Sequence, residues 1–164
     1  LKNFLDRMYA TADVFDLKMT KSGLFFHHVD ETISSKPFVT LICCDNMEKE
    51  ITKNAISYFK TYAKFHDADQ VGLLVRNAGR FLGHGKDPDA EKRSTRIKDA
   101  YQAFEDAGRE LATTGRISAS TQKRAAQNVL PIPPLIRWLK NLRPVKMKII
   151  EYARQNTIYT EGDV

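Results

Sequence analysis

The stretch 88-PDAEKRSTRIKDAYQAFEDAGRELATT-114 decides the fold class that we expect from the sequence. Apolar or small residues recur in it at the spacing of one helix face, namely Ile97, Tyr101, Phe104, Gly108 and Leu111. Asp87 before Pro88 is a typical helix start, and Gly115 is a typical helix stop. We therefore predict a helix from Pro88 to about Thr114 that forms the backbone of the core.

Helical spacing continues on both sides of this stretch. Further helices are predicted at residues 1–14, at 46–66 behind an Asp45 cap, from Val71 to Gly83, from a Ser118 or Ser120 cap to Asn128, and after Pro134 and Pro144. The sequence thus predicts a mainly α fold, a single-domain helical bundle of about six to seven helices that spans residues 1–164.

Two short apolar runs favour strands instead of helices. Residues 24–29 and 38–44 are rich in β-branched and aromatic side chains, and a polar, turn-prone stretch separates them. We predict a short β-hairpin near residues 24–44. Because periodicity alone does not separate short apolar runs from buried helix, an all-helical alternative stays open.

The composition is that of an intracellular globular protein. The chain has 164 residues, 42% of them hydrophobic and 28% charged, and its longest apolar runs fall far short of the ~20 residues that cross a bilayer. Cys43 and Cys44 are neighbours and are expected to stay reduced. We expect a cytoplasmic or nuclear location, or the interior of a virion. Because residue 1 is Leu, the chain is interpreted as processed or as a piece of a larger protein.

Positive charge is concentrated in a basic helical C-terminal subregion, residues 115–156. Outside it, residues 1–114 carry 17 bases and 17 acids and residues 157–164 carry two acids, so this subregion, with a charge of +8, is the source of the net charge of +6. It holds one acid, Glu151, and nine bases: Arg116, Lys123, Arg124, Arg137, Lys140, Arg143, Lys146, Lys148 and Arg154. A surface made for solubility mixes both signs, so this imbalance indicates an anionic partner.

Other residues extend the candidate binding surface. Four arginines outside the basic subregion are candidates for further phosphate contacts: Arg76, Arg80, Arg93 and Arg96. Two aromatic residues, Trp138 and Tyr152, are candidates for stacking on bases, although a place in the core suits both of them better.

No catalytic, metal or cofactor motif is recognisable in the sequence. The loop at residues 79–87 is rich in glycine but departs from the phosphate-binding P-loop pattern. His27 and His28 are neighbours, and on a strand their side chains would point to opposite faces. No Ser or Cys has a nucleophile context. We therefore expect a non-enzymatic protein without metal or cofactor.

The function that these features predict is sequence-independent binding of nucleic acid, RNA or single-stranded DNA, through the phosphate backbone. The chain would be a subunit of a nucleoprotein assembly such as a viral nucleocapsid, with self-association or other protein subunits as neighbours and no membrane contact. The alternative is a helical protein-interaction module that recognises an acidic protein partner. No family is recognised across the chain.

Overall fold

A computed structural model describes Arg7, residues 10–79, Leu82, residues 95–129, Leu139 and residues 142–156, with side chains in the last range described at 142–148 and at Glu151. The elements in chain order are β1 (Asp13–Met19), β2 (Phe25–His28), α1 (Glu31–Ser34), β3 (Phe38–Cys43), α2 (Glu50–Phe65), β4 (Gln70–Arg76), α3 (Thr95–Thr114), α4 (Ala119–Ala125) and α5 (Arg143–Asn156).

The fold is a mixture of helices and sheets, and the predicted bundle of six to seven helices is wrong. In the described part of the chain, five helices accompany two sheets of two strands each. The chain divides into two compact units, residues 1–129 and residues 130–164. All four strands and helices α1 to α4 belong to the first unit, and α5 belongs to the second. The single-domain organisation stays a prediction.

Residues 71–76 of the predicted helix at residues 71–83 belong to the strand β4, which pairs in parallel with β3, and the described residues that follow, 77–79 and Leu82, are not α-helical either. Val71, Leu74 and Val75 are spaced as on a helix face, but every residue of β4 is buried or half-buried. A short apolar run buried on both faces is typical of a parallel strand. Helix α2 connects β3 to β4, as parallel strands require a crossover.

The predicted hairpin is also wrong in its pairing, although both runs are strands. β2 pairs antiparallel with β1, and β3 pairs with β4. Between the two runs, Asp30 caps α1 by accepting from the N–H of Thr32, so the intervening stretch forms a short helix and not a hairpin turn. The last two residues of the helix predicted at residues 1–14, Asp13 and Val14, belong instead to the strand β1. Residues 1–6, 8 and 9 of that prediction lie outside the described residues.

The helix predictions at α2, at the end of α3 and at α4 are confirmed. α2 begins at Glu50, four residues later than predicted and without a side-chain cap. α3 ends at Thr114, just before Gly115, whose φ of 71° suits glycine. Ser118 caps α4 by accepting from the N–H of Thr121, and α4 ends at Ala125, three residues earlier than predicted. Residues 88–94 of the predicted helix lie outside the described residues.

Small side chains form the buried face of α3. Ala100, Ala103 and Ala107 are almost fully buried, whereas Leu111 from the predicted stripe is exposed. One core cluster joins Ala103 and Ala107 to Leu74, Ile117 and Ala125, and a second joins Ala100 to Ala78, Ile97 and Val129. Alanine lets a helix lie close to its neighbours, so this face of α3 packs directly against the rest of the core.

The free edge of β4 is covered by the segment that joins α3 to α4. The N–H of Ile117 donates to the Val71 carbonyl at 2.9 Å, and the Gln122 side chain accepts from the N–H of Leu73 at 3.1 Å. Glu110 fixes the corner itself, since its carboxylate accepts from the N–H of Ser118 at 2.7 Å and from the Thr121 hydroxyl at 2.6 Å. These hydrogen bonds lower the pKa of Glu110, and the bond from Thr121 has the largest effect. The α3–α4 corner is therefore held against the sheet by hydrogen bonds as well as by apolar contacts.

His66 lies buried among aromatic rings between the β1–β2 hairpin and α2. Its ring centroid is 4.4 Å from that of Tyr62 and 5.3 Å from that of Phe26. Burial, and to a smaller extent the Lys18 charge, lowers the pKa of His66 from the ordinary value of 6.5. The protonated imidazolium is thus disfavoured in the folded protein.

We expect this histidine to make the first unit less stable in mild acid. Because the folded-state pKa is lowered, the unfolded chain binds the proton more tightly, so stability is complete above pH 6.5 and falls as the pH drops towards the lowered pKa. The limiting slope is about 1.4 kcal/mol per pH unit. Urea unfolding of the parent and of His66→Phe across this range measures it, and the stability difference between the two proteins should change with pH. A difference that is constant with pH would contradict this expectation.

Candidate nucleic-acid interface

Helix α5 carries the exposed cations of the second unit that the structure describes. Arg143, Lys146 and Lys148 are exposed, whereas Val145 is half-buried. At 100° per residue, Arg143 and Lys146 lie about 60° apart around the helix axis, and Lys148 lies about 140° from Arg143 on the other side. Lys148 therefore lies only about 60° from Val145, while Arg143 and Lys146 lie farther round the helix, so the three exposed cations are spread around α5.

The start of α5 is electropositive. Arg143 is the first residue of the helix, and the first turn contains no acid. Pro144 has no N–H, and the N–H groups of Val145 and Lys146 already donate to the Leu142 carbonyl at 3.1 Å, so the positive charge here comes mainly from the side chains of Arg143 and Lys146. Among the described residues, Arg143 and Lys148 form no ion pair. The side-chain cations at this end of the helix can attract a phosphate oxygen by charge.

Arg124, in contrast, is held by two acids of α3. Its Nη2 lies 2.7 Å from Asp99 Oδ1, and its Nη1 lies 2.8 Å from Asp106 Oδ2. These hydrogen bonds raise the pKa of Arg124 and, with Arg124 as the largest cause at both carboxylates, lower the pKa of Asp99 and of Asp106. The guanidinium thus fastens α4 to α3, and its charge is balanced inside the protein.

Arg76 is buried and binds backbone carbonyls. It is 2% exposed, and its Nε donates to the Asn77 carbonyl at 2.8 Å. Nη1 donates to the Ala125 carbonyl at 2.9 Å, and Nη2 donates to that of Gln127. Burial lowers the pKa of the guanidinium. Since carbonyls at the end of a helix lack intrahelical donors, Arg76 caps the C-terminus of α4 and offers no surface to a ligand.

The other predicted contact residues of the first unit that the structure describes are exposed, and they differ in whether they already have a partner. Arg116 forms an ion pair with Asp69, and Arg96 Nη1 lies 3.4 Å from the Asn128 carbonyl. Lys123, on α4, is exposed and forms no ion pair with the described residues. Exposed ion pairs are weak, so Arg116 can exchange Asp69 for a phosphate at little cost.

The other predicted contacts lie outside what the structure describes. These are Arg80, Arg93, Arg137, Trp138 and Lys140 as whole residues, and Tyr152 and Arg154 as side chains on α5. They stay predictions.

The sequence reasoning missed the acids that occupy Arg124. Asp99 and Asp106 are seven residues apart and therefore share a face of α3, a spacing visible in the sequence. Nothing in the sequence says that α4 folds back onto that face. No comparable signal marks Arg76 in the sequence, because arginine is ordinarily exposed even at the end of an apolar run such as 71-VGLLVR-76.

The described histidines and acids were also candidates for a metal site. Among the described residues, no group of three His, Cys, Asp or Glu is placed to hold a metal ion. His27 and His28 point to opposite faces of β2, as expected, and His28 Nδ1 lies 3.3 Å from Asp16 Oδ2. A cavity of about 10 Å³ beside His66, lined by Lys18, Phe26 and His27, has room for about one water molecule.

Comparison of the chain with protein-family models, with curated proteins and with solved structures finds no match. Within the described residues, none of the helices has the length and apolar character needed to span a bilayer.

Proposed function

We propose that the protein binds RNA or single-stranded DNA through the phosphate backbone, without reading base sequence, as a subunit of a nucleoprotein assembly. The observation that carries the proposal is the exposed cation set of α5, Arg143, Lys146 and Lys148. Residues 130–156 contain six bases and Glu151 as their one acid. Unbalanced cations repel one another until an anion neutralises them, and each phosphate that does so releases counterions.

The proposed contact set is smaller than the sequence alone predicts. Arg76 and Arg124 are excluded, because the first is buried and the second is neutralised by Asp99 and Asp106. Lys123 is a further candidate in the first unit. Lysine and arginine side chains on a helix surface position a phosphate backbone but carry no sequence information by themselves, so we expect little base preference.

Reversing the charge of the α5 set is expected to abolish most of the binding. In Arg143→Glu/Lys146→Glu/Lys148→Glu, a fluorescently labelled oligonucleotide should bind at least about tenfold more weakly at low salt, and the slope of log K against log salt should fall by about two. Fluorescence anisotropy across a salt series measures both quantities. Circular dichroism verifies that the variant is folded.

A matched control separates this site from net charge. Lys53, Lys60 and Lys64 are exposed on α2, and changing all three to Glu alters the total charge by the same amount. This control should bind within about twofold of the parent if the α5 set forms the contact. Equal losses in the two triple variants would reduce the effect to net charge and would contradict the site. A parent that does not bind any oligonucleotide at low salt would refute the function.

Competition distinguishes nucleic acid from an acidic protein partner. Helical cations that contact evenly spaced phosphates should prefer an oligonucleotide to polyglutamate of equal charge. Equal competition by polyglutamate would favour the acidic-partner function over the proposed one.

A further inference from the structure

The β1–β2 hairpin carries an apolar face that the described part of the fold does not cover. Leu17 is 64% exposed, Met19 67% and Phe25 75%. Met19 lies directly opposite Phe25, and Leu17 opposite His27, so these side chains share one face. The other face is covered, because Phe26 packs against Phe65 with ring centroids 5.1 Å apart. Such an exposed apolar patch is typical of an interaction surface.

The hairpin also has an open backbone edge at β1. The N–H of Thr20 donates to the Leu24 carbonyl, so the backbone groups of Thr20, and those of Lys18 two residues earlier, point towards the neighbouring strand β2. The N–H and C=O groups of Leu17 and Met19 therefore point away from β2. β2 is the one strand that neighbours β1 among the described residues. A partner that extends the sheet must accordingly be another strand.

The charged residues of β1 limit which strand can pair with its open edge. Lys18 shares the covered face with Phe26, its register partner, and Asp16 contacts His28 on that same face. β1 thus alternates Asp16 and Lys18 on one face with Leu17 between them on the other. Antiparallel pairing of β1 with a second β1 about Leu17 places Asp16 of each copy opposite Lys18 of the other. Shifting that pairing by one hydrogen-bonded step in either direction places Lys18 opposite Lys18, or Asp16 opposite Asp16.

We propose that two copies of this chain associate through antiparallel pairing of their β1 edges, centred on Leu17. The central rung is a reciprocal pair of Leu17 N–H to Leu17 C=O hydrogen bonds, which the outward direction of these groups permits. On either side, Asp16 meets Lys18 across the two-fold axis, and Leu17 contacts its equivalent on the apolar face. The result is a four-stranded antiparallel sheet, which is more stable than an isolated two-stranded hairpin.

Two features of β1 keep the pairing short. The register with β2 is irregular between Asp13 and Leu17, and Asp13 Oδ1 already accepts from the N–H of Phe15 at 2.9 Å. Lys18 also contacts Glu31 at 2.7 Å and Asp67 at 3.5 Å, so an acid from a second copy would join an existing ion-pair network. We therefore expect a reversible dimer whose affinity responds to the charges at positions 16 and 18.

Charge exchange between positions 16 and 18 tests the register. After nuclease treatment, sedimentation velocity at near-physiological salt should show a concentration-dependent dimer of the parent. Asp16→Lys alone and Lys18→Asp alone should each raise the dissociation constant about tenfold or more, because like charges then face each other in both rungs. An equimolar mixture of these two variants should form a heterodimer. Asp16→Lys/Lys18→Asp should dimerise more tightly than either single variant but less tightly than the parent, because an aspartate at position 18 faces Glu31 and Asp67.

A second variant tests the edge without changing charge. Leu17→Pro removes the outward N–H needed by the central rung and spares the β2 pairing, so it should be monomeric. Lys53→Asp, a charge reversal on α2, is the control and should dimerise like the parent. A parent that is monomeric at every concentration, or single-charge variants and Leu17→Pro that dimerise like the parent, would overturn the proposal. Because nucleic acid is removed first, these outcomes are independent of the function proposed for α5.

Discussion

Replacing Arg76 by methionine is expected to lower the free energy of unfolding by about 3 kcal/mol. Methionine keeps much of the apolar stem, so little packing is lost. What is lost are the donors to the carbonyls of Asn77, Ala125 and Gln127. Ala125 is fully buried, so water does not readily replace the guanidinium there.

Urea unfolding followed by circular dichroism measures this loss. Arg76→Lys should recover part of it, because an ammonium reaches one or two of the carbonyls but lacks the planar fork. Arg109→Met is the control: Arg109 is exposed and pairs with Asp106 three residues away, so its loss should cost no more than about 0.5 kcal/mol. If Arg76→Met were as stable as the parent, the cost of desolvating the guanidinium would equal the stabilisation from its hydrogen bonds. That result would contradict a stabilising role of Arg76 as a helix cap.

Adding one methyl group at Gly72 is expected to destabilise the protein by about 1 to 3 kcal/mol. A Cβ at this position would lie 2.5 Å from Ile117 Cδ1 and 2.9 Å from Ile117 Cγ1. Both atoms belong to a buried side chain, and the backbone of Ile117 is hydrogen-bonded to Val71, so the side chain cannot simply move away. The clash would force the α3–α4 corner off the strand.

A double-mutant cycle isolates this contact. Ile117→Val removes Cδ1 and should cost about 1 kcal/mol by itself, but combined with Gly72→Ala it should cost less than the sum of the single changes. Gly108→Ala is the control, since nothing lies within 4 Å of a Cβ there and alanine favours a helix. It should stabilise the protein by about 0.5 to 1 kcal/mol. Strictly additive losses in the cycle would show that Ile117 is not what keeps position 72 a glycine.

The sequence predicts those parts of the fold whose determinants are local. α2 has a full amphipathic period, Gly115 ends α3, and Ser118 caps α4, so these elements could be read from neighbouring residues. β4 could not, because Val71, Leu74 and Val75 suit a helix face as well as a strand. The decision depends on β3, Ile117 and Gln122, which lie far away in the chain and cover both edges of β4.

The candidate interface, too, could be predicted from the sequence only in part. A count of lysines and arginines along the sequence finds the basic segment. Arg143, Lys146 and Lys148 are exposed in the structure and therefore stay candidates for binding. The count says nothing about acids that arrive from another element, as Asp99 and Asp106 do at Arg124 from 25 and 18 residues away. Charge imbalance along a sequence thus overestimates a binding surface wherever helices fold back on each other.

The parallel pairing of β3 with β4 also affects how the first unit folds. Thr40 and Gln70, whose side chains bond across the two strands, are 30 residues apart, whereas Glu110 reaches Ser118 and Thr121 across only eight and eleven residues. Closing the longer loop costs more chain entropy before any contact compensates for it. We therefore expect the α3–α4 corner to form early and the parallel strand pair to form late. Substitutions in the corner should then change the refolding rate, and substitutions in β3 should change mainly the unfolding rate.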